Sequence, residues 1–418
     1  MGDVIVDGER ARAAAESAAR RSYGKLVAYL ASRSRDVASA EDALSAAFEA
    51  ALQRWPEQGI PASPEAWLLT VARHHAIDAA RRRQVREAAE PDLVLLTTLS
   101  HEEEPPRVIP DDRLLLMFAC AHPAIEAAAR APLMLQTILG FDAASIASAF
   151  LVSPTAMGQR LWRAKTKIKQ AGIPWRLPDR DDLPDRLDSV LTAIYAAYTQ
   201  ACADAALTHA RGAALAQDCL WMGELVVALL PQAPEALGLL ALMLHTQARR
   251  DARRDARGNY VPLDRQVTAA WDSALIERAE TVLHRAGQLQ RPGRFQLEAA
   301  LQSVHAARHR TGRTDWTAVV QLYDALWTVT GSPVVAINRA AAIGQARGAA
   351  DGLAALAALS DDPRLVEYQP YWATRAALLA ATGAVEAADA AYHRAIALQS
   401  DPTVRRFLES QRAALPAR

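Results

Sequence analysis

The chain is short of the residues that mark several large classes of protein. Cysteine occurs three times in 418 residues, at Cys120, Cys202 and Cys219. These are too few and too scattered for a disulfide scaffold. No signal-peptide core is legible in "MGDVIVDGERARAAAESAARR", so the thiols are expected reduced, in a cytoplasmic protein. Cys120 and His122 in "FACAHPA" would open a metal site only if a second Cys/His pair followed at zinc spacing. None does, and no metal or other cofactor is expected. The Met-Gly start lacks the Ser or Thr of a myristoylation signal, since Val6 stands there. No apolar run nears about 18–20 residues without a charge, so no membrane contact is expected. Aromatic residues make up 6%, β-branched residues are sparse, and no run alternates as a strand would. There is no dinucleotide fingerprint, no phosphate loop and no nucleophile elbow. His74-His75 beside Asp78 fit exposed helix positions better than acid–base work. Nothing argues for an enzyme.

Net charge is also missing, with 47 Lys and Arg against 47 Asp and Glu. Against that balance one stretch stands out. "SPTAMGQRLWRAKTKIKQAG", 153–172, carries Arg160, Arg163, Lys165, Lys167 and Lys169 and no acid. Ser153 is a good N-cap, Pro154 suits the first helical position, and Gly172 and Pro174 stop the helix. Met157, Leu161, Ala164 and Ile168 form an apolar stripe, with Thr155, Gln159, Trp162, Arg163 and Thr166 on the other side. A helix without acids repels itself unless something negative lies near. Just before it, Asp142 caps a short helix whose inner face is Ile146, Ala147 and Phe150, and Leu151-Val152-Ser153 makes a turn. This is the layout of a DNA-binding helix-turn-helix. Gln159 and Arg163 are types that read base edges; Arg160, Lys165 and Lys167 are better placed for phosphates. An ordinary helical hairpin has the same outline.

What the chain has in abundance is Ala and Leu, which favour helix. Its length implies two to four domains. An all-α architecture is expected, with helices over 9–36 and 39–55. Ser39 is the expected N-cap of the second, with Asp42 in its first turn and Leu44, Phe48 and Leu52 on its apolar face. The Pro-rich loop 55–64 follows. Ser63-Pro64 then opens "EAWLLTVARHHAIDAARRRQVREA", with Trp67 and Val71 on the core face and a basic end at Arg81, Arg82, Arg83 and Arg86. Prolines and acids mark a linker over 90–112. Residues 111–139 read as helix leading into the helix-turn-helix, and 172–184 as a second linker. A long helical array completes the chain, broken near 249–263 and 287–294. Within it Trp372, Gly383, Ala388, Tyr392 and Ala395 fall near tetratricopeptide spacing, and 334–359 is a weaker copy.

Two basic helical elements in this order, joined by an acidic linker, resemble bacterial sigma factors of the extracytoplasmic-function class. "AEDALSAAFEAAL" followed by W-L-x-x-x-A-R-x-x-x-I-D-x-x-R-R is similar to sigma region 2, and "ASIASAFLVSPTAMGQRLWRAKTKI" to region 4. The rest is similar to the large extension of one subgroup, ending in tetratricopeptide-like repeats. The resemblance implies region 2 over 9–90, a linker over 91–110, region 4 over 111–174, a helical extension over 180–290 and repeats over 291–418. It implies that Glu41, Asp42 and Phe48 lie on the segment that binds the β′ coiled coil of core RNA polymerase, although Phe48 also suits a core role. Trp67, Arg73, His74, Arg81 and Arg82 would serve the −10 element, with the loop 55–64 where a flipped base is captured. Thr155, Gln159, Arg160, Arg163, Lys165 and Lys167 would serve the −35 element, with region 4 on the β flap. Glu102, Glu103 and Glu104 would thread the path of the RNA, or act as a solvated tether. Two positions depart from the pattern: Ser45-Ala46 replace Gln-Glu, and His74 replaces Asn. The extension is expected to control activity in cis and to be the contact point for a small regulatory protein. An operator-binding regulator with a repeat-built sensor domain fits the helix-turn-helix as well, and a repeat scaffold with solvated basic helices fits the array.

Overall fold

The computed structural model describes residues 2–34, 37–87, 111–170, 178, 180–203 and 209–416. Helix follows helix, as the Ala- and Leu-rich composition demands, and the described residues contain no strand; Arg254 and Tyr260 form one isolated antiparallel bridge. The acidic linker over 91–110, with Glu102, Glu103 and Glu104, lies outside the described residues, as does most of the second linker.

The described chain separates into two compact units. The first is built from Met1–Ala201 with His209–Leu225, the second from Val226–Arg418 with Cys202–Thr208. In the first, α1 (Gly2–Ser34), α2 (Val37–Gln58) and α3 (Pro64–Glu87) pack on one another. Ala11, Ala15, Ala18, Leu26, Val27 and Leu30 of α1 bury against Leu44, Ala47 and Ala51 of α2 and Leu68 and Ala72 of α3. Three sequence expectations change here. The second helix begins at Val37, so Ser39 sits inside its first turn instead of capping it. The helix also continues through Pro56 to Gln58, because Trp55 is buried and holds the last turn in place. Leu52, expected on the apolar face, is largely exposed.

Next come α4 (Asp112–Cys120), α5 (Ala127–Thr137), α6 (Ala143–Ala149) and α7 (Pro154–Gln170). The helical stretch expected over 111–139 consists of two helices. Pro123 disfavours helix at His122, and His122 Nδ1 then accepts the Ala124 N–H at 3.1 Å to close the turn. Two more helices, α8 (Leu183–Ala203) and α9 (His209–Leu229), supply 183–201 and 209–225 to this unit. The expected extension over 180–290 is therefore divided between the two units. A window of α9, Gly212–Leu229, is long and apolar enough to cross a membrane by composition. It nonetheless carries Asp218, which pairs with Arg113 of α4 at 2.9 Å.

The second unit runs from α10 (Pro234–Ala248) through α11 (Ser273–Gln288), α12 (Arg294–Ala306), the short α13 (Arg308–Thr311), α14 (Trp316–Thr330), α15 (Pro333–Arg347), α16 (Ala349–Ala357), α17 (Gln369–Ala381) and α18 (Val385–Ala397) to α19 (Pro402–Ala413). Most helices of this unit pack on the next in sequence, while α12 packs mainly on α10 and α14, and the core divides into successive small clusters. Tyr392 and Ala395 are buried in the last of these with Ala376, Ala391 and Leu408, Trp372 packs against it, Ala388 is also buried, and Gly383 makes the turn at φ 80°. At the start of the unit Glu235 caps a helix from another element: its carboxylate accepts the N–H groups of Phe295 at 2.8 Å and Gln296 at 3.2 Å at the N-terminus of α12. Gly238 permits this approach, since a Cβ there would lie 2.6 Å from the Gln296 nitrogen.

Two histidines give this unit a pH limit. His245 and His305 are both pushed down to about 4, by burial first and then by the Arg249 charge, with Arg308 adding at His305. The folded state thus holds both neutral, while the unfolded chain takes up protons from about pH 6.5 downward. Stability from these groups is fully present above about pH 6.5 and is lost as pH falls towards 4. The loss is on the order of several kcal/mol in total. Denaturant titrations between pH 7 and 4 are expected to show it, and His245→Gln with His305→Gln to flatten the slope.

Candidate nucleic-acid interface

The helix-turn-helix is built by local rules. Asp142 caps α6, accepting the Ser145 N–H at 2.8 Å and the Ser145 hydroxyl at 2.9 Å, and these bonds hold its carboxyl below the usual range. Ile146 and Ala147 face inward and Phe150 ends the helix. The turn then needs a left-handed residue, and Leu151 supplies it at φ 52° without being glycine, at a cost of about 1 kcal/mol. The Ser153 hydroxyl accepts the Ala156 N–H at 3.2 Å and starts α7. Met157, Leu161 and Ala164 anchor α7 in the core. Thr155, Gln159, Trp162, Arg163 and Lys167 are exposed. Arg160 is half-buried, its guanidinium 3.5 Å from the Ala128 carbonyl. Lys169 is on α7, its side chain outside those described.

Lys165 is placed differently. Its ammonium lies 3.2 Å from the Glu41 carboxylate of α2, across 124 residues of sequence. Cys120 is fully buried, and burial pushes its thiol up to about 12 with Thr137 as hydrogen-bond partner. That thiol stays protonated, and no group of three or more metal-ligating side chains gathers among the described residues. A second contact joins the same two layers. Gly24 of α1 lies against the backbone just past α5, so closely that an added Cβ would fall 1.6 Å from the Ile138 carbonyl oxygen.

On the other basic element, Asp42 is exposed and Glu41 half-buried. Phe48 stacks on Tyr23 at 6.4 Å between ring centres. Burial, together with the charges of Glu41 and Asp42, pushes the Tyr23 hydroxyl up to about 12. Phe48 is therefore part of the α1–α2 packing, the second of its two sequence-stated roles. Ser45 is exposed and Ala46 half-buried, so the departure from Gln-Glu lies partly on the surface. Trp67 is half-buried, edge-on to Trp55 at 5.5 Å. Arg73 is half-buried; His74 is exposed and lies seven residues, and so two turns, from Trp67 on one face of α3. Arg81 and Arg82 lie farther along α3, their side chains outside those described.

Sequence reasoning missed what holds this layer. Arg113 is buried and donates to Asp111 at 3.0 Å and Asp218 at 2.9 Å. Burial alone would lower its basicity and raise the Asp111 carboxyl, but the pairing reverses both directions. Arg186 of α8 is buried and donates to the Phe118 carbonyl at 3.2 Å, and the Gln200 amide donates to the Ser145 carbonyl of α6 at 3.2 Å. Between these two anchors Leu187, Val190, Leu191, Ile194 and Tyr198 are buried. The helix after the second linker thus lies across the helix-turn-helix layer.

A family profile described as Sigma-70 region 2 matches residues 19–86, which span the end of α1 through α3. A second, described as a family of unknown function (DUF6596), matches residues 186–287. An uncharacterized protein of Rhizobium meliloti (strain 1021) is 36% identical over 401 residues, covering 94% of this chain and 93% of its own length. No solved structure matches.

Proposed function

We propose that this chain, which belongs to the sigma-70 family and to one full-length family with the Rhizobium meliloti protein, is an alternative sigma subunit of the extracytoplasmic-function class. Sigma-70 proteins are transcription initiation factors, not enzymes. The observation that carries the reading is the pairing of a region 2 match on α1–α3 with a helix-turn-helix whose second helix, α7, contains no acid, in the same unit. Glu41 and Asp42 on α2 would dock on the β′ coiled coil, with Phe48 supporting their helix from beneath. Trp67, Arg73, His74, Arg81 and Arg82 on α3 would engage the −10 element. Thr155, Gln159, Arg160, Arg163, Lys165 and Lys167 on α7 would engage the −35 element, with the β flap as second polymerase contact. Such a protein works in the cytoplasm, where polymerase and promoters are.

The extension would regulate in cis, and a small regulatory protein would act through it. Support comes from α8 lying over α4 and α6, and from Lys165 and Glu41, one from each proposed surface, neutralising each other. An operator-binding regulator needs no region 2, so the match over 19–86 weighs against it.

The test is transcription of fragmented genomic DNA by core polymerase supplemented with the full chain. Discrete new start sites, absent with core alone, are expected. Lys167→Ala should lower the salt slope of promoter binding by about one for the lost phosphate contact, without moving the start sites.

A further inference from the structure

We propose that Trp162 is a base-reading residue of this chain that selects a thymine in the −35 element through its C5-methyl group; this rests on the sigma reading above. At about 100° per residue, positions 155, 159, 162 and 166 fall within one narrow stripe of α7. That stripe lies opposite the buried Met157, Leu161 and Ala164. Trp162 stands at one edge of that stripe and is 68% exposed, with the exposed Gln159 and Arg163 beside it on the stripe's side. Leaving a large indole in water gives up the burial that would otherwise stabilise the fold. Its neighbours on the exposed side are cations and hydroxyl or amide groups, and the helix contains no acid. A protein surface that binds another protein through a tryptophan ordinarily surrounds it with further apolar residues. Here the surroundings match an anion, and an α-helix fits the major groove.

Within that groove, thymine is the one base that offers a methyl group. The hydrogen-bonding readers Gln159 and Arg163 suit adenine and guanine. An indole beside them has only its ring edge and N–H to offer, and an apolar ring edge against a methyl is the contact that uses the part left exposed. The sequence pattern grouped Trp162 with the polar face without assigning it a role. The exposure, on that face, is what gives it one.

The experiment uses holoenzyme assembled from core polymerase and the full chain, with double-stranded DNA randomised over the −35 and −10 segments. Wild-type holoenzyme is expected to enrich thymine at one −35 position. Replacing that thymine by deoxyuridine, which removes the methyl alone, should weaken binding about fourfold. Trp162→Ala should lose both the thymine preference and the deoxyuridine effect while keeping the other enriched positions. Arg163→Ala should lose a preference at a different position. Base preferences of Trp162→Ala identical to wild type, as a protein-docking tryptophan would give, overturn the inference and leave the sigma reading standing. Failure of wild-type holoenzyme to enrich any sequence overturns both.

Discussion

Gly24→Leu is expected to part α1–α3 from α4–α7. Gly24 has no room for any side chain, because its missing Cβ would overlap the Ile138 carbonyl, a backbone group that no rotamer change moves away. Overpacking of this kind costs about 1–3 kcal/mol where a side chain can shift, and more where backbone must. Opening the contact removes the strain. The same opening separates Lys165 from Glu41, whose pairing in the partly solvated gap is worth little by itself. The expected result is a larger radius of gyration in small-angle scattering and tighter, more salt-sensitive binding of double-stranded DNA by the chain without polymerase. Gly24→Leu that leaves both the radius and DNA binding unchanged would show that the contact does not hold the two layers together.

Arg113→Ala should be the most destabilising single polar substitution in the first unit, by about 3 kcal/mol. Arg113 is the buried centre of a three-residue network: it pairs with Asp111, the cap of α4, and, 105 residues away, with Asp218 of α9. Its removal leaves two carboxylates facing a partly buried space. Arg113→Lys should recover only a fraction, because an ammonium cannot span both acids as the guanidinium fork does. The control is Asp218→Asn. Asp218 is one-third exposed, so its loss should cost less than that of Arg113, and in the double variant the penalties should fall well short of additive. Urea denaturation of the four proteins measures the coupling. Additive effects would mean that Arg113 and Asp218 act separately.

The parts of this molecule that were legible in the sequence are those made by neighbours. The cap at Asp142, the stripe Met157, Leu161 and Ala164, and the turn before Ser153 need no information from outside their own twenty residues. The all-α class follows from the same local preferences. Even so, Leu151 in a left-handed turn was not foreseeable, since nothing about leucine asks for positive φ. The break at His122-Pro123 was written in the chain as an X-Pro pair, but the apolar run on both sides masked it. Long-range pairings were not legible. Lys165 and Glu41 were each assigned to a separate partner, and only the fold brings them 3.2 Å apart. Nothing in the sequence singles out Arg113 or Arg186, because a charge reveals its burial only through the distant carboxylate or carbonyl that receives it. Phe48 and Trp67 were read as either contact or core. Phe48 stacked on Tyr23 and Trp67 edge-on to Trp55 show the packing role of each.

The central claim is that this chain is a subunit of RNA polymerase, and direct binding to bacterial core polymerase tests it. Full-length chain and its Asp42→Arg variant are each titrated onto immobilised core enzyme. Asp42 is exposed on α2, so the reversed charge disturbs the surface and leaves the fold intact. A sigma subunit gives saturable, stoichiometric binding that the Asp42→Arg variant weakens at least tenfold. Absence of binding by the wild-type chain, and by the Gly24→Leu chain whose surfaces are uncovered, would contradict it.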